Sequence, residues 1–171
     1  PYELIEEVFL EELQFDEEVQ WTEASRSAEY FESVSLYGLK LRSQKILNQQ
    51  VKTSQSEFLA SKVLDGSLKI SSWNSEVSKW IQRVSWVSEV YPEKDLPEYS
   101  DEDIKKIVGQ VCFGSKSYKE IKNVNVIDYF KNLLNWDDQQ FVLSMTPHKI
   151  ELPNGKSLKI KYEQGKAPKV T

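Results

Sequence analysis

The sequence predicts an α+β protein in which a small antiparallel β-barrel or sheet is interrupted by a helical subdomain. Three observations predict it. Apolar residues keep strand-like spacing over residues 3–47, shift to a helical period near residue 50, and return to alternation at 149–162. Strand-forming stretches thus lie at both ends of the chain, with 51–146 between them. The C-terminal stretch is too short to stand alone, because an isolated hairpin is marginal in water. Pairing it with the N-terminal strands gives one module, 1–50 plus 147–171, and a helical insertion, 51–146. An antiparallel meander is the simplest N-terminal arrangement. A five-stranded OB-like barrel, which commonly carries a helix between its third and fourth strands, fits this order.

The elements follow in sequence. Leu4–Leu13 reads as a first strand, Phe15-Asp16-Glu17-Glu18 as a turn, and Val19–Ala24 as a second strand. Ala28–Tyr37 is a third, and Gly38 separates it from a fourth that begins at Leu39 and Leu41. The many glutamates read as a solvated face, since their spacing matches no metal-ligand pattern. A helix over 54–65 places Phe58, Leu59, Val63 and Leu64 on its apolar side. Trp73, Val77, Trp80, Ile81, Val84 and Val87 make the clearest stripe in the chain, and Pro92 ends it. Such a stripe reads as core rather than as a partner groove or membrane face. Ser100 to Asp103 reads as a capping box for a helix carrying Ile104, Ile107, Val108 and Val111, stopped by Gly114. Ser117 with Glu120 is a second capping box. Val126, Ile127, Phe130, Leu133 and Leu134 predict one further helix, and Trp136 to Met145 a last one, closed by Pro147. Pro153-Asn154-Gly155 is then the turn of a hairpin. Ile150, Leu152, Leu158, Ile160 and Tyr162 share its apolar face, while Lys149, Glu151, Ser157, Lys159 and Lys161 share the other.

Composition narrows the function classes. The 171 residues carry a net charge of −5, 39% hydrophobic and 12% aromatic residues, which together predict a folded, acidic chain. The charge is uneven: residues 1–50 carry −7, residues 51–146 carry −2 and residues 147–171 carry +4. An acidic total argues against indiscriminate nucleic-acid binding but leaves room for a local basic strip. No apolar run is long enough for a membrane helix, and no signal peptide opens the sequence. The single Cys112 allows neither an internal disulfide nor a cysteine-based metal site, so a reducing, cytoplasmic setting is expected. A start at Pro1 and an end straight after a basic tail suggest a piece of a longer chain.

The catalytic inventory is thin. There is no phosphate-cradling G-x-x-x-x-G-K-[ST] loop, no G-x-S-x-G and no H-E-x-x-H. His148, the only histidine, reads as a surface or packing residue, and Cys112 as a small core hydrophobe. Asp101, Glu102, Asp103, Asp137 and Asp138 stand at helix starts, where acids favour the helix dipole. The remaining candidate is the basic strip Lys149, Lys156, Lys159, Lys161 and Lys166, continued by Lys169. Its plain reading is a solvated face that protects a sheet edge, and its functional reading is contact with phosphates. The strip has no interleaved exposed aromatics of the kind that stack bases, and Tyr162 has the parity of the core face.

Leu152-Pro153-Asn154-Gly155, followed by the strand to Tyr162 and then Gly165 and Pro168, resembles the C-terminal region of HrpB-type ATP-dependent helicases, in the DEAH-box RNA helicase group. Other segments agree in order: Trp73 with Arg83-Val84, then Pro92-Glu93, Leu96-Pro97 and Ser100-Asp101-Glu102, then Leu134-Asn135-Trp136, Gln139-Gln140 and Pro147. Phe15-Asp16-Glu17 and Tyr37-Gly38-Leu39-Lys40-Leu41 are similar in pattern. Lys161 departs from the family, which usually has an acidic residue before this Tyr, and the Gln-rich motif ending in Phe-Gly is missing past Thr171. The resemblance implies a non-motor accessory fragment containing an OB-like fold, packed on the motor domains of the same parent chain and contributing to an RNA path. It implies ATP and Mg for the parent and no cofactor in this fragment, which has none of the motor motifs. The competing expectation is a structural or protein-interaction module without nucleic-acid contact, which the acidic N-terminal half favours. An independent enzyme is the remote third.

Overall fold

The structure, a computed structural model, describes residue 4, residues 7–47 and residues 50–171. The chain folds as two compact units, Pro1–Leu68 with Cys112–Lys122, and Lys69–Val111 with Asn123–Thr171.

In the first unit, β1 (Leu13–Thr22), β2 (Ser27–Leu36) and β3 (Leu39–Lys45) form an antiparallel sheet in the order β1-β2-β3. The expected strand over Leu4–Leu13 does not form: residues 7–8 are helical, 10–12 are a turn, and the ladder starts at Leu13. Glu3, Ile5 and Glu6 lie outside the described residues. The expected turn at Phe15–Glu18 is also absent, because those residues run through the middle of β1 opposite Val34, Ser33, Glu32 and Phe31. The acidic run misled because charge was read as loop. On a half-solvated sheet carboxylates such as Glu18 of this run and Glu29 of β2 find cations on β3 instead. Lys40 reaches Glu18 at 2.9 Å and Lys45 reaches Glu29 at 2.6 Å. The third and fourth strands come out as β2 and β3, joined by Tyr37-Gly38. Both turn residues have positive φ, 49° and 81°, as a two-residue hairpin of the type I′ kind requires.

Helix α1 (Thr53–Leu64) packs on this sheet and buries Leu59 and Ala60. Gln55, 1% exposed, donates its side-chain N–H to the Ala28 carbonyl at 2.7 Å. Ser56 donates to the Ser115 carbonyl at 2.9 Å, so α1 holds the sheet and the 112–117 segment together. The Ser117 capping box forms as expected and opens the single turn α4 (Tyr118–Ile121).

In the second unit, α2 (Ser75–Val90) buries Val77, Trp80, Val84 and Val87. Asn74 caps it by accepting from the Glu76 backbone N–H at 2.9 Å. Helix α3 (Asp101–Cys112) buries Ile107, Val108 and Val111, and α5 (Val126–Lys131) and α6 (Trp136–Met145) pack against α2. Only the last residue of α3, Cys112, belongs to the first unit. Ser100 and Asp103 close the expected box reciprocally at 3.0 and 3.3 Å. Helix α5 stops at Lys131, shorter than predicted, and Leu134 is buried from the loop that follows. Trp73 meets Phe130 edge-on, with ring centres 5.3 Å apart.

The C-terminal strands β4 (Lys149–Glu151), β5 (Ser157–Lys161) and β6 (Lys169–Val170) form a second antiparallel sheet, β4-β5-β6. The expected α+β class is observed, but the OB-like barrel is not. The described residues form two separate three-stranded sheets, no ladder joins the chain ends, and no barrel closes. The hairpin solves its exposure problem locally. Tyr162, 6% exposed, lies 5.3 Å ring to ring from Trp86 of α2 and donates its hydroxyl to the Pro147 carbonyl at 2.9 Å. Glu89 of α2 accepts from the Gly165 N–H at 2.8 Å. A helix therefore covers the Tyr162 end of the face that the sequence assigned to other strands.

Candidate functional site

The basic strip is organised by strand register. Lys149 stands directly opposite Lys159, and Lys161 directly opposite Lys169. Residues opposite one another in an antiparallel pair share a face, so four ammonium groups occupy neighbouring positions across three strands. Like charges directly opposite are destabilising. The opposite face carries Ile150, Leu158, Ile160 and Val170, also in register. The alternation predicted from sequence is therefore real, although Ile150 and Val170 remain largely exposed.

Three of the predicted lysines come together and two do not. Lys149, Lys159 and Lys161 line a cleft of about 430 Å³ that also takes Lys79, Gln82, Arg83 and His148 in its wall. Lys156 sits at the far end of the hairpin, its backbone N–H bonded to the Asn154 side chain at 3.1 Å. Lys166 is paired with Glu163 at 2.7 Å, and that ammonium holds the Glu163 carboxyl below the usual carboxylate range.

Arg83 and Lys79 are the residues that sequence reasoning did not assign to the site. They lie one helical turn apart on α2, so both project toward β5. That i, i+4 basic pair beside an apolar stripe was the available signal. Lys79 is bonded to Glu76 at 2.6 Å in an exposed pair, which costs little to open.

Arg83 is different: it is 6% exposed. Its Nε donates to Thr146 Oγ1 at 2.7 Å, its Nη2 to the Thr146 carbonyl at 2.8 Å, and its Nη1 to His148 Nε2 at 3.0 Å. Thr146 Oγ1 in turn donates to the Val142 carbonyl at 2.6 Å. All of these acceptors are neutral, and no carboxylate is ion-paired with Arg83 among the described residues. Burial acts to lower the guanidinium pKa, while Tyr162 and Glu76 oppose that. A guanidinium stays protonated, so the cleft contains a fixed, buried positive charge without an ion-pair partner among the described residues.

His148 feels that charge. Burial, and then Arg83, push its pKa below the ordinary 6.5. Arg83 can only donate, so Nε2 is the acceptor and the ring proton of the neutral form sits on Nδ1. A cleft with this many donors and cations can hold an oxyanion.

Comparison with known proteins agrees with the fold. Residues 108–171 match the family model described as ATP-dependent helicase C-terminal. Among curated proteins, the ATP-dependent RNA helicase HrpB of Escherichia coli (strain K12) is 22% identical over 163 residues, which cover 91% of this chain and 20% of that protein. Two crystal structures share the fold. The E. coli DExH-box NTPase HrpB aligns with a TM-score of 0.61 at 19% identity, over 99% of this chain and 21% of that one. The Escherichia coli DEAH/RHA helicase HrpB aligns with a TM-score of 0.62 at 20% identity, over 94% and 21%. The chain thus spans about one fifth of the length of the curated relative it matches.

Proposed function

We propose that this chain, which carries the C-terminal region of HrpB-type ATP-dependent helicases, is a non-motor accessory segment that lends such a helicase part of its RNA path and a packing surface for its motor domains. The observation that carries the RNA side of this reading is the lysine register. Two like-charged pairs, Lys149 with Lys159 and Lys161 with Lys169, stand on one face within the segment matched by the helicase model. Sheet stability alone disfavours that arrangement, whereas a polyanion laid across it neutralises all four charges. ATP and Mg belong, in this reading, to motor segments outside these 171 residues. No helix among the described residues is long and apolar enough to cross a membrane.

A second reading, an interaction module without RNA contact, draws on the first unit, where Phe15, Tyr37 and Leu39 are more than 60% exposed. These residues suit protein packing. Titrating the chain into labelled single-stranded RNA at several salt concentrations separates the readings. We expect weak binding whose log–log salt slope corresponds to about 0.7 per phosphate contacted. Replacing Lys149, Lys159 and Lys161 with Ala should flatten that slope. Absent or salt-independent binding favours the interaction module.

A further inference from the structure

The cleft between α2 and β5 has a composition that the lysine face alone does not explain. Its back wall is the buried guanidinium of Arg83, locked by Thr146 and His148 and therefore unable to swing out to solvent. The hydrogen bond to His148 fixes the imidazole tautomer, which leaves Nδ1–H as a donor that has no protein partner among the described residues. Lys79, Lys149 and Lys159 line the same space. A polynucleotide crossing the lysine face needs only scattered cations. A cleft lined by a rigid buried cation, an imidazole N–H and three lysines instead suits one tetrahedral oxyanion held at a fixed place.

We propose that this cleft seats a single backbone phosphate of single-stranded RNA and that His148 takes up a proton as it does so. The proposal rests on the accessory RNA-path reading and deepens it by fixing where the strand is anchored. Proton uptake follows from the charges that face the ring. From α2 these are Arg83 and Lys79, which disfavour imidazolium, and Glu76, which favours it. From the sheet, Lys149, Lys159 and Lys161 line the same cleft, as does Glu163, whose carboxylate is engaged by Lys166. A bound phosphate adds negative charge on the side where cations dominate, so it raises the His148 pKa. Nδ1–H donates to the phosphate in both protonation states. The extra proton goes to Nε2, and Arg83 Nη1 must then release its bond to that atom.

The chain has one histidine, so its imidazole signals in a proton NMR spectrum are unambiguous. The 171-residue chain is titrated with pH alone, with inorganic phosphate, and with a ten-nucleotide single-stranded RNA. RNA affinity is measured in parallel for Lys79→Ala/Lys149→Ala and for the distal control Lys156→Ala/Lys166→Ala. All four positions are exposed, so both variants should keep the fold.

The expected result is an upward shift of the His148 pKa with RNA, a loss of affinity of about tenfold or more in the cleft variant, and a loss of less than about threefold in the control. Equal losses in both variants, or RNA binding that leaves the imidazole unmoved, overturns the single-phosphate seat while leaving the RNA-path reading standing. A shift with inorganic phosphate and none with RNA makes the cleft a small-anion site and overturns the backbone assignment. No RNA binding in the unmodified chain overturns both.

Discussion

Arg83 Nη1 lies 3.0 Å from His148 Nε2, and the two side chains, sixty-five residues apart, join α2 to the first residue before β4. Burial, and then the Arg83 charge, make the folded state prefer the histidine neutral, and its pKa lies below the ordinary 6.5. On unfolding, the ring regains its ordinary value and binds a proton that the folded state refuses. Stability is therefore full above about pH 6.5, falls as pH drops through that value, and stops falling once folded His148 protonates too. Urea midpoints measured from pH 8 to 5.5 should be flat, then decline. His148→Gln keeps an acceptor for Arg83 but cannot titrate, so its midpoints should stay flat over that window. The carboxyl groups held low in the fold start from 4.5 or below and so lose their contribution at lower pH. An equal decline in the variant would show that His148 is not the responsible group.

Tyr99 carries the second test. It holds φ at +54°, a conformation costing a non-glycine residue about 1–3 kcal/mol. What offsets this is its buried hydroxyl, which accepts from Trp80 Nε1 at 2.7 Å and donates to the Phe130 carbonyl at 2.8 Å. Tyr99→Phe keeps the ring and the strain but leaves both partners unpaired in the core. The expected loss is about 1–3 kcal/mol in unfolding free energy. A change below about 0.5 kcal/mol would mean that water reaches one of the partners.

These cases show why some parts of the structure were legible in the sequence and others were not. The α2 stripe was legible because Val77, Trp80, Val84 and Val87 repeat one local rule, and the capping boxes at Ser100 and Ser117 are equally local. The hairpin's two faces were legible for the same reason. What failed was long-range. Nothing local says whether Ile160 and Tyr162 are covered by a strand or by a helix, so the chain ends were joined in one barrel when Trp86 of α2 was the cover. Half of the site was lost in the same way. Lys149, Lys159 and Lys161 announce themselves by alternation, but Arg83 gains its meaning only from Thr146 and His148, more than sixty residues away.

The β2–β3 turn provides a test of local strain in the first unit. Tyr37 has φ of +49° and a 77% exposed side chain, so it bears left-handed strain with little packing in return. Asn-Gly is the favoured pair for such a turn. Tyr37→Asn should therefore stabilise the unit by up to about 1 kcal/mol, read as a higher melting temperature. Gly38→Ala, at φ of +81°, should do the reverse. A destabilised Tyr37→Asn variant would show that the ring packs on something in solution, as the interaction-module reading requires.

The lysine face supplies the sharpest separation of stability from function. If Lys161 and Lys169 oppose each other only by accident, reversing one charge should leave RNA affinity alone and help the fold. If the face exists for a polyanion, the same change should help the fold and harm binding. Lys161→Glu turns a repulsive cross-strand pair into an attractive one, for a gain of a few tenths of a kcal/mol at this exposed position. It also changes the charge of a residue that lines the cleft. The expected outcome is a small rise in melting temperature together with a several-fold loss of RNA affinity and a flatter salt slope. Both changes should shrink as salt is added, because screening weakens the repulsion and the attraction alike. Unchanged RNA affinity in a stabilised variant would remove Lys161 from the RNA path and reduce the lysine register to a sheet-edge feature.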